Sequence, residues 1–350
     1  VIAVVVSHSQ GFVASPSAES IGSRHRDSSD GQQPNRGRRL LLIGAATVAL
    51  GGGGVLAASR QWRRPGPVPS QLTLATGPRG AVYVEVGDDI ARAVQAFSPA
   101  THVTVRSTAA TVENLRLLAR GEVDLGFVSL DAAMIDPLVR QQILTALTRV
   151  YDSCLHLVVP AESRIRNLRD LAGARISIGG DGSGTEFTVN RLLSLTGVTP
   201  AQILRLGQSP SMTALQSGII DAAFSLTGSP TPAIAALATR RPLRLVPLGE
   251  YFGELDRSIP RAYAPAPIPE GTYRDVKATD TVLVPNILLA RSDLSDIAVT
   301  VVMSALFADS SKRFWVHPGS RRMSRDLATV TGGAALHGAA RAWLDNHADD

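Results

Sequence analysis

Arg175-Ile176-Ser177-Ile178-Gly179-Gly180-Asp181-Gly182-Ser183-Gly184-Thr185-Glu186 reads as a short strand, a glycine-rich turn and the start of a helix. Ser183 followed three positions later by Glu186 is a capping-box signature for that helix. The same rhythm recurs on both sides. Leu72–Thr76 reads as a strand and Gly77-Pro78-Arg79-Gly80 as a turn. Val82, Val86, Ile90 and Val94 then recur every four residues, the period of a helix face. Val103–Arg106 is the next strand, and Thr111 is placed to cap a helix running to Leu118. Asp124–Val128 reads as a strand, with Asp131 capping the helix after it. Leu155–Val159, Ala222–Leu226 and Leu243–Val246 are further strands, and helices are expected near Ser183, Pro210, Thr231 and Leu294. Strands alternating with helices in this way predict an α/β fold.

Four strand-to-helix turns are built of Gly, Ser and Thr: Thr76–Gly80, Ser107–Thr111, Gly179–Thr185 and Leu226–Pro230. In open α/β sheets ligands lie beyond the carboxyl ends of the strands. Glycine admits a ligand close to the backbone, and helix N-termini offer free N–H groups with partial positive charge. Such ends, if they converge, suit a small anion. The turn at Gly179–Glu186 lacks the Lys-Ser or Lys-Thr of a phosphate-binding P-loop and the third glycine and later acid of a dinucleotide site. It is not a nucleophile elbow, because Ser183 is flanked directly by Gly182 and Gly184. A tight turn that merely caps its helix remains the alternative to ligand binding.

Composition bounds the rest. A chain of 350 residues suggests two lobes or domains, and 44% hydrophobic with 19% charged residues is that of a folded globular protein. The net charge is +5, but arginines are spread thinly. Their densest groups, Arg36/Arg38/Arg39 and Arg60/Arg63/Arg64, flank an apolar stretch and point to membrane topology, against nucleic-acid binding. Cys154 is the single cysteine, which excludes an internal disulfide and a Cys-rich zinc site. It reads as a core thiol, although His156 shares its strand face. His102, His156, His317 and His337 show no metal-ligand spacing. No metal, cofactor or catalytic set is expected.

Residues 1–39 read as a disordered tail and residues 40–59 as an export signal or membrane anchor. Arg38-Arg39-Leu40-Leu41-Leu42 resembles a twin-arginine signal, with Gly37 where Ser or Thr is usual. If uncleaved, this segment would be the chain's contact with the membrane. Residues 60–70, with Pro65, Pro67 and Pro69, form a stiff linker.

A family resemblance rests on several motifs in order. They are Leu72–Gly77 with Gly80 and Tyr83; Ser107-Thr108 with Val112–Leu118 and Gly121–Leu125; Leu168–Gly173; Gly182–Glu186; Gly218 with Asp221–Phe224; Ile268–Tyr273; and His317-Pro318-Gly319. Together they resemble TAXI-type solute receptors of TRAP-like transporters, over residues 72–344. The resemblance implies a two-lobed periplasmic-binding-protein fold, an extracytoplasmic location and hinge closure on a ligand. The chain would cross between lobes near Val159 and Val282, giving lobes of residues 71–158 with 283–350 and residues 159–282. It implies a small carboxylate or amino acid such as glutamate as ligand, delivered to TRAP-type permease subunits. Candidate ligand residues are Gly77, Arg79, Gly80, Tyr83, Ser107, Thr108, Asn114 and Ser129 on one lobe. Gly182, Ser183, Gly184, Thr185, Glu186, Thr227 and Ser229 are those on the other. Pro78-Arg79, Ala81 and Ala109-Ala110 depart from the family pattern, and Arg79 would add a cation to the cleft. Two other functions fit the same reading: a sensing module that regulates a membrane partner, and an enzyme using Ser183, Glu186 or Glu113.

Overall fold

The computed structural model describes residues 67–348. The tail, the apolar segment and residues 60–66 of the linker lie outside the described residues. Among the described residues, no helix is long and apolar enough to cross a membrane.

The strands, in chain order, are β1 (Gln71–Ala75), β2 (His102–Arg106), β3 (Leu125–Ser129), β4 (Leu144–Pro160) and β5 (Arg175–Ser177). They continue with β6 (Gln202–Leu204), β7 (Ala222–Thr227), β8 (Leu243–Leu245), β9 (Ala264–Ile268) and β10 (Thr279–Arg291). They hydrogen-bond in the order β2-β1-β3-β10-β4-β7-β5-β6, with β8 on β4 and β9 on β10. The outer groups β2-β1-β3 and β7-β5-β6 are parallel, and the two long central strands run antiparallel to their neighbours.

Those long strands divide the molecule into two lobes. β10 pairs with β3 through Asn286–Ala290 and with β9 through Thr279–Leu283. β4 pairs with β7 only from Cys154 onward. The cores follow the same division. Leu147, Val150, Leu288 and Ala290 pack in one cluster, with Leu144, Ala146, Ile287 and Leu289 on the opposite sheet face. Leu155, Leu157, Val159, Val282 and Val284 belong to another cluster, and Val158 to a fourth. Between the two sets lie Tyr151–Cys154 and Val284–Ile287, and β10 slips register between Asn286 and Ile287. The lobe boundaries expected from sequence fall within these same two strands.

Helix Val82–Phe97 forms as its spacing predicts, burying Val82, Tyr83, Val86, Ile90, Ala93 and Val94. Each valine or isoleucine among them taken fully out of water stabilises by about 1.5–3 kcal/mol. Its buried Asp89 accepts hydrogen bonds from Val316 N (2.9 Å) and Ser320 Oγ (2.9 Å), so it holds the Pro318-Gly319 loop against this lobe.

Two caps differ from expectation. Thr111 is the first helical residue, not the cap, because Ala110 takes the cap position at φ +84°. Asp131 lies inside helix Leu130–Ile135, whose cap is Ser129. Its carboxylate is drawn instead to hydroxyls of the other lobe: Thr188 Oγ1 donates to Oδ2 at 2.5 Å and Tyr263 OH at 3.2 Å.

Candidate functional site

Four helices begin at one place. Val82–Phe97, Thr111–Ala119, Gly184–Thr196 and Gln208–Gln216 follow β1, β2, β5 and β6, and their first residues line a single cleft. The ends of β3 and β7 complete it with Ser129, Leu226 and Thr227. The cleft encloses about 180 Å³, more than the roughly 150 Å³ that accommodates benzene. Ala81, Ala110 and Gly207 cap three of the helices without a side-chain hydrogen bond. First-turn N–H groups have no partner within their own helix, so these ends present donors and partial positive charge to the cleft.

The hydroxyls add donors. Thr185 Oγ1 accepts from Leu226 N (3.0 Å), Ser153 Oγ accepts from Asn286 Nδ2 (2.8 Å), and Ser129 Oγ faces Thr111 Oγ1 as its donor (3.4 Å). Thr185 thus has a lone pair occupied and its own proton left to donate, whereas the Ser129 hydroxyl also reaches Asp131 and that of Ser153 also reaches Tyr151. Asn286 is fully used: Oδ1 accepts from Tyr83 OH (2.6 Å), and Nδ2 also reaches Tyr151 O (3.0 Å). Burial pushes the Tyr83 and Tyr151 phenols up, so both remain neutral. Gln208 brings a buried amide oxygen with no partner. Asp181 is the one charged side chain among the lining residues; its carboxylate is exposed, 3.9 Å from Arg205. Positive potential in the cleft therefore comes from peptide groups.

The two lobes touch across the cleft. Val112 N donates to Gly182 O at 3.0 Å. A Cβ on Gly184 would lie 2.9 Å from Thr111 Oγ1 and 3.1 Å from Ser129 Oγ, so only glycine permits this approach. Gly179 lies at φ +95° with Thr185 and Ser183 packed where a Cβ would stand, which folds the turn over the helix start. Asp131 joins the lobes through Thr188 and Tyr263, and burial raises its pKa above the ordinary carboxylate range.

Of the residues singled out in the sequence, Gly77, Tyr83, Ser129, Ser183, Gly184, Thr185 and Thr227 line the cleft. Eight do not. Arg79 and Gly80 are exposed outside it. Ser107 Oγ donates to Gly77 O (2.8 Å), and Thr108 Oγ1 to Thr76 O (3.0 Å) and Asn114 Oδ1 (2.7 Å). Asn114 is buried and donates to Thr76 O (2.7 Å) and Phe127 O (2.8 Å), so it ties strands together behind the site. Gly182 N donates to Glu186 Oε2 (2.8 Å). The capping box is thus shifted: Ser183 Oγ accepts from Glu186 N (3.1 Å), while Glu186 reaches one residue beyond the cap. Ser229 lies in another cavity.

Thr111, Tyr151, Ser153, Gln208 and Asn286 also line the cleft, and the sequence alone does not mark them as ligand groups. Thr111 is within reach of the motif, since it opens the helix after β2. Tyr151, Ser153 and Asn286 come from parts of the long strands that carry no strand signal of their own.

The Cys154–His156 pair is not set up as a nucleophile and base. Burial pushes the thiol up to about 12 and the imidazole down to about 4. His156 Nδ1 donates to Cys154 O (2.9 Å) and Nε2 accepts from Tyr273 OH (2.9 Å), so its ring binds the main chain and a phenol, not the thiol.

The NMT1-like family model matches residues 74–345. The chain belongs to the NMT1-like family. The match spans both lobes of this NMT1-like protein, all four converging helices and the two long strands. Among solved structures it is similar to the periplasmic aliphatic sulphonate binding protein SsuA from Escherichia coli. That likeness has 17% identity and a TM-score of 0.44, over 79% of this chain and 83% of that one. It is also similar to the periplasmic binding protein BugD, at 12% identity and a TM-score of 0.49, over 79% and 93% of the two chains. A putative L-cystine ABC transporter protein from Listeria monocytogenes matches at 14% identity and a TM-score of 0.46, over 75% and 99%. The NMT1-like chain has a mixed α/β fold of two lobes joined by the long strands β4 and β10.

Proposed function

We propose that this chain is the extracytoplasmic, ligand-capturing receptor of a membrane transporter, of the TAXI type that serves TRAP-like permeases. Its ligand is a small carboxylate or amino acid such as glutamate. The observation that supports this reading is the convergence of four helix N-termini, two from each lobe, on one hydroxyl-lined cleft. Carboxylate oxygens are acceptors only, and a donor-rich pocket without a cationic side chain stabilises them through dipoles. The lobes are close to those expected from sequence, with the hinge drawn inward to Tyr151–Cys154 of β4 and Val284–Ile287 of β10, where these strands change partners. Gly77, Tyr83, Ser129, Ser183, Gly184, Thr185 and Thr227 contact the ligand, joined by Thr111, Ser153 and Gln208. Ligand that touches both lobes favours the closed arrangement, because only differential affinity shifts such an equilibrium. The N-terminal segment exports the chain or anchors it at the outer face of the membrane. Mass spectrometry of the small molecules released on denaturing the purified protein, followed by calorimetric titration of each and of L-glutamate, tests the reading. An anionic or zwitterionic ligand supports it; exclusive binding of cations or uncharged apolar compounds overturns it.

A further inference from the structure

Three sequence motifs that the cleft does not use meet at a second place. Gly228-Ser229-Pro230, the segment Pro269 to Thr272, and Pro318-Gly319 line a separate cavity of about 410 Å³. Side chains alternate along a strand, and β4 uses that alternation. Tyr151 and Ser153 line the cleft, whereas Asp152 and Cys154 line the second cavity, on the opposite face of the strand at the point where the lobes divide.

The chemistry of this cavity differs from that of the cleft. Arg322 lines it, is exposed, and has no carboxylate within ion-pair distance among the described residues. Asp152 is already held by Arg149, whose Nη2 reaches both carboxylate oxygens at 2.6 and 2.7 Å. The group Arg149, Asp152 and Arg322 therefore carries an excess of one positive charge. The Ser229 hydroxyl is buried near the Tyr273 phenol without making a hydrogen bond of good geometry. A buried hydroxyl left unpaired is costly, and a ligand acceptor would relieve it. The remaining wall is apolar, formed by proline rings and Leu283.

We propose that this cavity is a second small-molecule site, for a monocarboxylate with an apolar body. The carboxylate pairs with Arg322 and accepts from Ser229 Oγ, while the body packs on Pro230, Pro267 and Leu283. Because the loops at 228–230 and 318–319 lie on different lobes, an occupant bridges the hinge from behind. The proposal does not depend on what the cleft binds.

Benzoate is the probe. It is titrated calorimetrically into the full chain and into Arg322→Gln, Ser229→Ala and Gln208→Ala variants, with acetate and benzyl alcohol as comparisons. Circular dichroism melting checks that each variant folds; Arg322 is exposed, so its replacement leaves the core intact. The expected result is binding of benzoate more tightly than of either comparison, weakened about tenfold or more by Arg322→Gln. Ser229→Ala weakens it by a smaller factor, and Gln208→Ala, which alters the cleft without touching the facing lobe, leaves it unchanged. The proposal is overturned by a wild-type chain that does not bind benzoate, or by affinity indifferent to both Arg322→Gln and Ser229→Ala. Loss confined to Gln208→Ala also overturns it, because the probe then occupies the cleft.

Discussion

Gly184→Ala separates lobe closure from lobe stability. The added methyl would stand 2.9 Å from Thr111 Oγ1, 3.1 Å from Ser129 Oγ and 3.5 Å from Ser129 Cβ, all on the facing lobe. No atom of its own lobe is as near. Two of these contacts are shorter than ordinary van der Waals separation by a few tenths of an ångström. Overpacking of this kind costs about 1–3 kcal/mol, and each 1.4 kcal/mol is a factor of ten in affinity. Closure on the ligand is therefore expected to weaken by about 5- to 150-fold. Within its own helix the change is neutral or favourable, since alanine is a better helix former than glycine by up to about 1 kcal/mol. The assay pairs calorimetry, using whichever ligand co-purifies, with thermal melting of the ligand-free chain. Affinity should fall while the melting midpoint holds. Unchanged affinity refutes the steric argument. A midpoint that falls by many degrees refutes it differently, by showing that Gly184 supports its own lobe.

Other expectations rest on single residues. His156 is fully buried, and its pKa is depressed from 6.5 to about 4 by desolvation. The stability it contributes is present above about pH 6.5 and lost as pH falls toward 4, by up to about 3 kcal/mol. Urea unfolding from pH 7.5 to 4.5 should show a steeper loss in wild type than in His156→Gln, and equal slopes would remove the assignment. Ala110 at φ +84° carries strain of about 1–3 kcal/mol. Against the 0.5–1 kcal/mol entropic cost of glycine, Ala110→Gly should stabilise by about 1 kcal/mol and raise the melting midpoint by about 2–4 °C; a lower midpoint contradicts this. Burial raises the pKa of Asp131 in the closed arrangement. Burial favours the protonated acid and outweighs the hydrogen bonds from Thr188 and Tyr263, which favour the carboxylate. Closure is therefore fully favourable below the ordinary carboxylate range and weakens as pH rises through the raised value. Affinity should fall as pH rises above the ordinary carboxylate range, and Asp131→Asn should flatten that profile; an unaltered profile in the variant counts against the link.

The outer strands and their turns were legible because they follow the local rules of α/β units. β1, β2, β5 and β7 each end in the Gly, Ser or Thr turn that the sequence displays. The long strands were not. Only Leu155–Val159 of β4 reads as a strand, because Arg149 and Asp152 interrupt its apolar run; in the fold they neutralise each other three residues apart. β9 and β10 contain Pro265, Pro267 and Pro285, which discourage a strand reading until their edge or irregular positions are known. The site was half legible for a related reason. Hydroxyls in turns declare themselves, but Thr108 and Asn114 share that chemistry and spend it on the backbone of β1 and β3. Which hydroxyl faces a ligand is decided by tertiary packing, and Tyr83, a helical residue in one lobe, meets Asn286 more than two hundred positions away.

A cleft whose positive potential comes from helix ends has an evolutionary consequence. Peptide N–H groups are encoded at nearly every codon, so point mutation among Val82, Thr111, Thr185 and Gln208 reshapes the pocket without discharging it. On the proposed reading, preference for negative charge is inherited with the fold, while the choice among anions drifts in a few neutral side chains. Ala109 and Ala110, at the mouth of one of these helices, are where a methyl more or less would change the menu. Divergent members of such a lineage would exchange one acid for another more readily than they would accept a cation.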